Sequence, residues 1–506
     1  MRLELQKLID VALPTYPTIF KDKQIEVLNQ LIKYQDYYDN DVFKYIVEKY
    51  PEYGTRVSGG KNYYPTQVPL NYSRYIINKL ASWQFEIPVD FNCTSDSEEV
   101  LKVKKKAAKK EIKPMRSDEI EVDIYETHKR NLMDVKLLQA AVECNVSGGV
   151  VFKLKYDIDK EDIRIFVRNR IECFPIYDFD DYENITKIHF VAFRDEDTIW
   201  KQTYELENGI CYIEEAIYDA KMIEKPKEVI IPRQPLGIGK KYLDFIPVYI
   251  IPNTPQIGEI WGMSELEDLI PIIDEINRKY SDLSDSLRFD LFAITILMNV
   301  KPTGKNPEKG LKAKPGAVWE LMGGGPDSPK SDVFKLEGQF HYIESLKYHI
   351  DSLVAALYEF SEVVNVSVDR ISKVGNLSGV ALKLLFAAIL SKTTRKNAIW
   401  GARLREMYMG ILKMKQIYEG YDLPDDLDIE IITHNPLPQN ELENIQVITQ
   451  KITAGLISVT TAMNELGVED PERELAQILE EKNQYDKSLN LDNLRSSHNT
   501  GDTENE

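Results

Sequence analysis

Apolar residues recur every three or four positions in two stretches of the second half of the chain, and a β- and Gly-rich stretch separates them. Leu266, Leu269, Ile273, Ile276, Tyr280, Leu283 and Leu287 mark one face of a helix opening at Trp261-Gly262-Met263-Ser264 and running to about Asp290. That is the period of a surface helix with one buried stripe. Ser264 with Glu267 three residues on predicts a capping box at its start, and Pro271 predicts a kink unless the helix begins later. The second stripe is Ile343, Leu346, Ile350, Leu353, Leu357, Phe360 and Val364, in a helix over about 339–364. At about 1.5 Å per residue each helix would be roughly 40 Å long. A third helix opens at Asn376-Leu377-Ser378-Gly379, with Ser378 as its cap, and runs to Tyr418-Glu419-Gly420, roughly 60 Å. Two helices joined by a small insertion, then a loop and a long spine, make a poor pocket for catalysis. They make a good wall segment for a ring with a hole through it.

Upstream, Ile25, Leu28, Leu31 and Ile32 predict a helix over 22–50 ending at Pro51. Tyr53 to Pro69, rich in Gly, Tyr and Pro, predicts an extended loop, and 71–84 another helix with Ile76, Ile77 and Leu80 inward. Asp134 to Cys144 reads as a short apolar helix. From Val146 the period falls to two. Val150, Phe152, Leu154 and Tyr156 alternate, Asp157-Ile158-Asp159-Lys160 turns, and Ile163, Ile165 and Val167 alternate back, which predicts a β-hairpin. Further strands near 187–193, 209–218, 228–231 and 245–251 make 146–255 a mostly antiparallel region, with Pro252-Asn253-Thr254-Pro255 as a hinge. Asp428 to Thr433 reads as one more strand, and three short helices follow over 440–483. The polar end, Ser488 to Glu506, predicts disorder. The fold class is α+β.

Charge sharpens this picture. The chain has 506 residues, more than one core normally spans, and a net charge of −19. That balance argues against tight nucleic-acid binding, which needs clustered Lys and Arg. Eight acidic residues against three basic ones lie between Glu265 and Asp290, whereas seven lysines against four acids lie between Lys301 and Lys335. The first helix is acidic and the insertion after it basic. Cys93, Cys144, Cys173 and Cys211 stand far apart, with no zinc or disulfide pattern, which fits a reducing compartment. The charged N-terminus is unlike a secretory signal, and the most apolar run, Leu291 to Val300, is about half a membrane span. A cytoplasmic origin and no membrane association are expected.

Several segments, in order, resemble the portal proteins of tailed bacteriophages, the dodecameric rings through which DNA enters and leaves the capsid. Asn71-Tyr72-Ser73-Arg74-Tyr75-Ile76-Ile77 and Phe85-Glu86-Ile87-Pro88-Val89 are similar to the family's N-terminal helix and the segment after it. Ile246-Pro247-Val248 with Asn253, Gly262-Met263-Ser264-Glu265-Leu266 and Ile273-Asp274-Glu275-Ile276-Asn277 resemble the entry to its first stem helix. Ser378-Gly379-Val380-Ala381-Leu382-Lys383 resembles the start of its spine helix. Gly455-Leu456-Ile457-Ser458-Val459-Thr460-Thr461-Ala462 with Glu469-Asp470-Pro471-Glu472-Arg473-Glu474 resembles its crown. The resemblance implies a wing over 1–255 with a return strand within 421–439, and stem helices over 256–291 and 339–364. It further implies a clip at 292–338, a channel loop at 365–377, a spine helix at 378–420, a crown at 440–485 and a disordered tail from 486. The implied role is a virion ring at one capsid vertex, made in the host bacterial cytoplasm, through which double-stranded DNA is packaged and ejected. Implied partners are further copies of the chain, the terminase large subunit, the head-completion adaptor, and the major capsid and scaffolding proteins; no cofactor is implied.

An acidic stem around DNA repels phosphate and lets the duplex slide. On that reading Glu265, Glu267, Asp274, Asp282, Asp285, Glu344 and Asp351 face the channel; the alternative is that they make salt bridges between subunits or face outside solvent. Ser367, Asp369, Arg370 and Lys373 belong to the channel loop, where the two basic residues would touch phosphates lightly. Lys301, Lys305, Lys309, Lys312 and Lys314 are the candidate docking surface of the clip, against plain solubility. The lysine-rich stretch 102–113 reads as the coat of a wing helix.

Catalytic chemistry finds little support. Gly304-Lys305 and Gly60-Lys61 are each followed by Asn, so no phosphate-binding loop with its hydroxyl is present. Asp178, Asp180, Asp181 and Glu183 could hold a metal for phosphodiester hydrolysis, but no accompanying His or Lys cluster favours that over an exposed turn. Asp157 to Arg168 lacks the glycine and terminal Glu of a calcium loop, and His341 and His349 are two helical turns apart. The chain is expected not to be an enzyme. A metal-dependent nuclease of the packaging machinery, or another structural head protein, are the alternatives.

Overall fold

The computed structural model describes residues 2–58, 61–95, 116–178, 180–291, 295–298, 300–302, 321–323, 332–335, 343–365, 383–434, 436, 441–466, 471 and 473–482. The chain forms two compact units, one of Met1–Asn365 with Ala388–Pro436 and one of Val366–Ala387 with Leu437–Glu506.

The first unit opens with α1 (Arg2–Ala12), α2 (Thr18–Asp39) and α3 (Phe43–Lys49). The single helix expected over 22–50 is thus two, because Asn40 ends α2 in the left-handed region at φ 72°, a conformation Asn tolerates better than most residues. A small hairpin, β1 (Arg56–Ser58) with β2 (Lys61–Tyr63), leads into an extended stretch and then α4 (Tyr72–Phe85). Asn71 caps α4 by accepting from the Arg74 amide at 2.9 Å. After β3 (Asp90–Thr94) come α5 (Ser117–Arg130), for which no sequence expectation was formed, and α6 (Met133–Ser147).

The β region is antiparallel throughout. β4 (Gly149–Asp157) and β5 (Asp162–Asn169) form the expected hairpin, with Asp157 opposite Asp162, and β13 (Val248–Pro252) adds to the other edge of β4. Between them, β6 (Cys173–Tyr177), β7 (Ile185–Phe193), β8 (Thr198–Glu207), β9 (Ile210–Asp219) and β10 (Met222–Pro235) form a meander in sequence order. A short pair, β11 (Gly237–Ile238) and β12 (Lys241–Tyr242), follows it. β6 and β8 are additional to the sequence expectations.

The helix after β13 starts later than its apolar period suggests. α7 spans Ile270–Leu291, about 33 Å at the usual rise, and 265–269 are turns. The capping box is therefore not formed: the Ser264 hydroxyl accepts from the Leu266 amide at 3.1 Å. Pro271 falls in the first turn, where its missing N–H costs no helical hydrogen bond, so no kink is needed. The insertion is closed by two nested antiparallel pairs: β14 (Thr295–Met298) with β17 (Asp332–Lys335), and β15 (Val300–Pro302) with β16 (Leu321–Gly323). The chain returns as α8 (Ile343–Ser361), packed against α7.

α9 (Ala387–Tyr418) is the longest helix among the described residues, about 48 Å; the expected start at Ser378 lies outside the described residues. It runs through the main core, where Trp400, Leu404, Met407, Tyr408, Ile411 and Leu412 are buried among residues of β4, β5, β13, α5 and α6. Phe85 and Phe152 meet Trp400 edge-on, at ring centroids 4.9 and 6.2 Å away. Gly410 is where the helix must lack a side chain, since a Cβ there would lie 1.8 Å from the Tyr249 hydroxyl. β18 (Asp428–Ile432) then pairs with β3 across more than three hundred residues of sequence.

The second unit contains α10 (Glu441–Thr453), α11 (Val459–Glu465) and a helical stretch over 473–482. Ile448 and Ala462 are buried in it, and Gly455, at φ 68°, turns the chain after α10.

Candidate functional site

The helix pair α7–α8 and its attachment to α9 are where the candidate residues converge. Three acidic residues of α7 have uses inside the chain. Asp274 is 8% exposed and accepts a 2.6 Å hydrogen bond from the Tyr37 hydroxyl; burial raises its carboxyl pKa. The Tyr53 hydroxyl donates to Asp282 at 2.9 Å, and Lys279 lies 3.3 Å from the other oxygen. The Thr66 amide donates to Asp285 at 3.0 Å.

These contacts belong to a ladder. The extended stretch 64–70 lies along α7, and the amides of Thr66, Val68 and Leu70 donate to Asp285, Ser281 and Asn277 at 3.0, 3.1 and 2.9 Å. Every second strap residue meets every fourth helix residue, because two residues of strand and four of helix advance by nearly the same distance. Pro69, which has no N–H, falls between rungs. Beside the ladder the Arg278 guanidinium stacks 3.8 Å from the Tyr50 ring centroid.

Glu265, expected in the channel, is instead buried at the foot of α7. Its oxygens lie 2.6 Å from Lys396 and 2.7 Å from Lys392, with carboxylate and ammonium side chains at most 11% exposed. Burial alone would raise its pKa, but the two ammonium groups outweigh it and hold the carboxyl at about 2. Asn253 Nδ2 donates to Glu265 at 3.0 Å, and Lys396 also donates to Asn145 and Asn253 side chains, each at 2.5 Å. One carboxylate between two ammonium groups makes a cluster with no net negative charge, so it cannot supply a field that repels phosphate. Glu265 and Asp274 are therefore corrected from channel-facing to internal residues, and Asp282 and Asp285 are engaged by the chain's own N-terminal part.

The backbone at this foot is held as tightly. Gly148 O accepts from the amides of Asn253 and Gly262 at 3.0 and 2.9 Å. A Cβ on Gly262 would lie 1.3 Å from Asn253 O. Arg170 donates to Ser147 O at 2.8 Å and lies 5.0 Å from the Trp261 ring centroid.

Glu267, Glu344 and Asp351 are exposed. On α8, Glu344, Asp351 and Glu359 share one helical face and are all exposed, as is Tyr348 beside them. Glu359 was not singled out from sequence. Neither were Lys392 and Lys396, although a signal exists for Lys396: Ile389, Thr393, Lys396, Trp400, Leu404, Met407, Ile411 and Lys415 keep a three-to-four spacing, and a lysine inside an apolar stripe needs a buried partner. Lys415 has one in Asp123, at 2.6 Å. Lys301 lies in β15. Lys305, Lys309, Lys312, Lys314, Ser367, Asp369, Arg370, Lys373 and the 102–113 stretch lie outside the described residues.

The arrangements that invite a catalytic reading do not gather into a reactive site. Asp134, His128 and Tyr408 form a chain of hydrogen bonds at 2.8 and 2.6 Å, but Tyr408 is completely buried, and burial raises its pKa further. Glu183 pairs with Arg403 at 3.4 Å, and Asp181 accepts from the Glu183 amide as a turn residue does. Among the described residues no group of three or more His, Cys, Asp or Glu could hold a metal. No described helix is long and apolar enough to cross a membrane.

Comparison with known proteins places this architecture. The portal protein of Bacillus phage SPP1 is 26% identical over 257 residues, 50% of this chain and 48% of that protein, so the match spans about half the length of the curated relative. A solved chain from the virion of a native gene transfer agent particle overlaps 78% of this chain and 88% of its own, at 12% identity and a TM-score of 0.34, too distant to carry an argument. The model of the family described as phage portal protein, SPP1 Gp6-like, matches residues 19–488. With nearly its whole length matched, the chain belongs to the SPP1 Gp6-like phage portal protein family.

Proposed function

We propose that this chain is the subunit of a closed dodecameric ring at one vertex of a phage capsid, through which double-stranded DNA is packaged and later ejected. The observation that carries this reading is the antiparallel pair α7–α8, closed at one end by paired strands and fixed at the other to the long helix α9. Such an elongated unit suits a wall segment better than a pocket. Residues 1–255 with β18 would form the wing, α7 and α8 the stem, 292–338 the clip, α9 the spine and 440–485 the crown. The role is structural, and ATP hydrolysis falls to the terminase.

The acidic wall of the channel moves to α8. With Asp274, Asp282 and Asp285 of α7 engaged within the chain, Glu344, Asp351 and Glu359 on α8, with the exposed Glu267, offer acidic groups that would repel phosphate and keep DNA sliding. Ser367, Asp369, Arg370 and Lys373 would approach the duplex, and Lys301, Lys305, Lys309, Lys312 and Lys314 would dock the terminase and then the adaptor. The ring would reside in the virion, with capsid and scaffolding proteins around it, after synthesis in the host cytoplasm.

The first test is axial imaging of the purified chain with native mass. Closed rings of dodecameric mass with a hole wide enough for a duplex are expected; a monomer that scaffold does not assemble would overturn the reading. The second is packaging with the combined variant Glu344→Gln, Asp351→Asn, Glu359→Gln. Slowed or stalled packaging is expected, and wild-type rates would remove the acidic stripe from the mechanism.

A further inference from the structure

The feet of α7 and α8 reach the same turn of α9, and three cations there divide the work unequally. Lys396 bonds Glu265, Asn145 and Asn253, all on the α7 side. Arg395 forks onto both oxygens of Glu362, just past the end of α8, at 3.0 Å each. Lys392 alone serves both sides: its ammonium lies 2.7 Å from Glu265 and donates to the Ser361 carbonyl, the last residue of α8, at 3.0 Å.

We propose that Lys392 is a shared clamp that makes the feet of α7 and α8 move as one body with α9, so that neither helix of the pair can shift at its root alone. The geometry favours this over three independent anchors. Separating α8 from α9 removes the Ser361 acceptor from a nearly buried ammonium, which Glu265, already held by Lys396, cannot fully compensate. Separating α7 withdraws Glu265 from two ammonium groups at once. Either displacement weakens the other foot, so the two are coupled. Glu362 stands at φ 58° immediately after α8, a position that non-glycine residues seldom occupy, and its ion pair to Arg395 holds it there. A cavity of about 400 Å³ lined by Phe360, Ser361, Asp268, Lys392 and Arg395 borders the clamp. It leaves room for the feet to shift together.

The clamp is a property of the folded chain; its use, to tilt the stem as a unit during DNA passage, rests on the portal reading. Hydrogen exchange on the full-length protein tests it with three variants. Lys392→Met should speed exchange at the first turns of α7 and the last turn of α8 together, by about tenfold. Lys396→Met and Arg395→Ala leave Lys392 bridging both feet, so each should speed exchange far less than Lys392→Met does and at neither foot alone. If Lys392→Met leaves the end of α8 unchanged, or if Lys396→Met or Arg395→Ala frees one foot without the other, the clamp is overturned. Should Lys392→Met fail to fold, Glu265→Gln provides the same discrimination: it should loosen α7 strongly and α8 measurably, and an unchanged α8 would refute the coupling. Native mass on the parent chain is scored separately, so absence of rings would reject the portal reading while leaving the exchange result standing.

Discussion

Glu265 shows how far a residue's role can lie from its appearance in the sequence. In an acidic helix it reads as surface charge, yet its side chain is only 6% exposed between Lys392 and Lys396. Its folded pKa of about 2 lies below the ordinary carboxyl value near 4.5. The stability it contributes is therefore present above about pH 4.5 and is lost as pH falls through about 2, once the carboxyl protonates between the two lysines and the Asn253 amide. Glu265→Gln removes that charge at every pH and leaves two buried ammonium groups facing a neutral amide, a change expected to cost about 3–5 kcal/mol. Denaturant midpoints at pH 7 and pH 3 check both statements: the variant should fall well below the parent at pH 7, and the gap should narrow at pH 3. Gly262 is the second residue with no substitute. Gly262→Ala drives a methyl into Asn253 O, and soluble yield and melting temperature should both drop sharply; a parent-like melt would mean that the crossing of 148, 253 and 262 is looser than its distances state.

At the scale of elements, periodicity revealed the types and misjudged the ends. The hairpin β4–β5 was legible because strict alternation leaves few other choices, and β18 because Ile429 and Ile431 alternate with charged neighbours. The start of α7 was not legible. Leu266 and Leu269 fit the helical stripe and are buried, but they are buried in a turn, since the tertiary contacts of Glu265 and Asn145 outweigh the local cap. The strap 64–70 left no periodic trace either, because its partners are side chains of a helix some two hundred residues away. Its ladder makes a specific prediction. The amides of Thr66, Val68 and Leu70 should exchange slowly and that of Gln67 quickly, and Asn277→Ala should unprotect Leu70 most, at a cost of about 1–3 kcal/mol. Uniform fast exchange over 64–70 would refute the ladder.

For the whole molecule, the family was legible from the order of weak motifs, while the division of the acids between internal partners and exposed surface was not. Seven acids looked equivalent in sequence; internal partners set Glu265, Asp274, Asp282 and Asp285 apart from the exposed Glu267, Glu344 and Asp351. Assembly should cover what a lone subunit leaves bare. Tyr348 and Phe360 on α8 are 76% and 68% exposed, unusual for large apolar groups on a helix that already buries Ile350 and Leu357. Tyr348→Ser with Phe360→Ser is expected to leave the subunit's melting temperature nearly unchanged while lowering the fraction of rings seen by native mass. Parent-like assembly would place those side chains away from the contacts between copies.

The strap on α7 carries its own ruler. Two residues of strand advance about 6.6 Å and four residues of helix about 6.0 Å, so each added rung misaligns donor and acceptor by about 0.6 Å. Over the two intervals from Leu70 to Thr66 the slip accumulates to about 1.2 Å, which flexible side chains absorb. A few rungs more would exceed their reach. The ladder is thus a vernier that cannot creep: lengthening the strap adds no hold, and sliding it by one residue would offer Pro69 or Gln67 where Leu70 or Val68 now donates, so the N-terminal part is seated on the helix in one register alone.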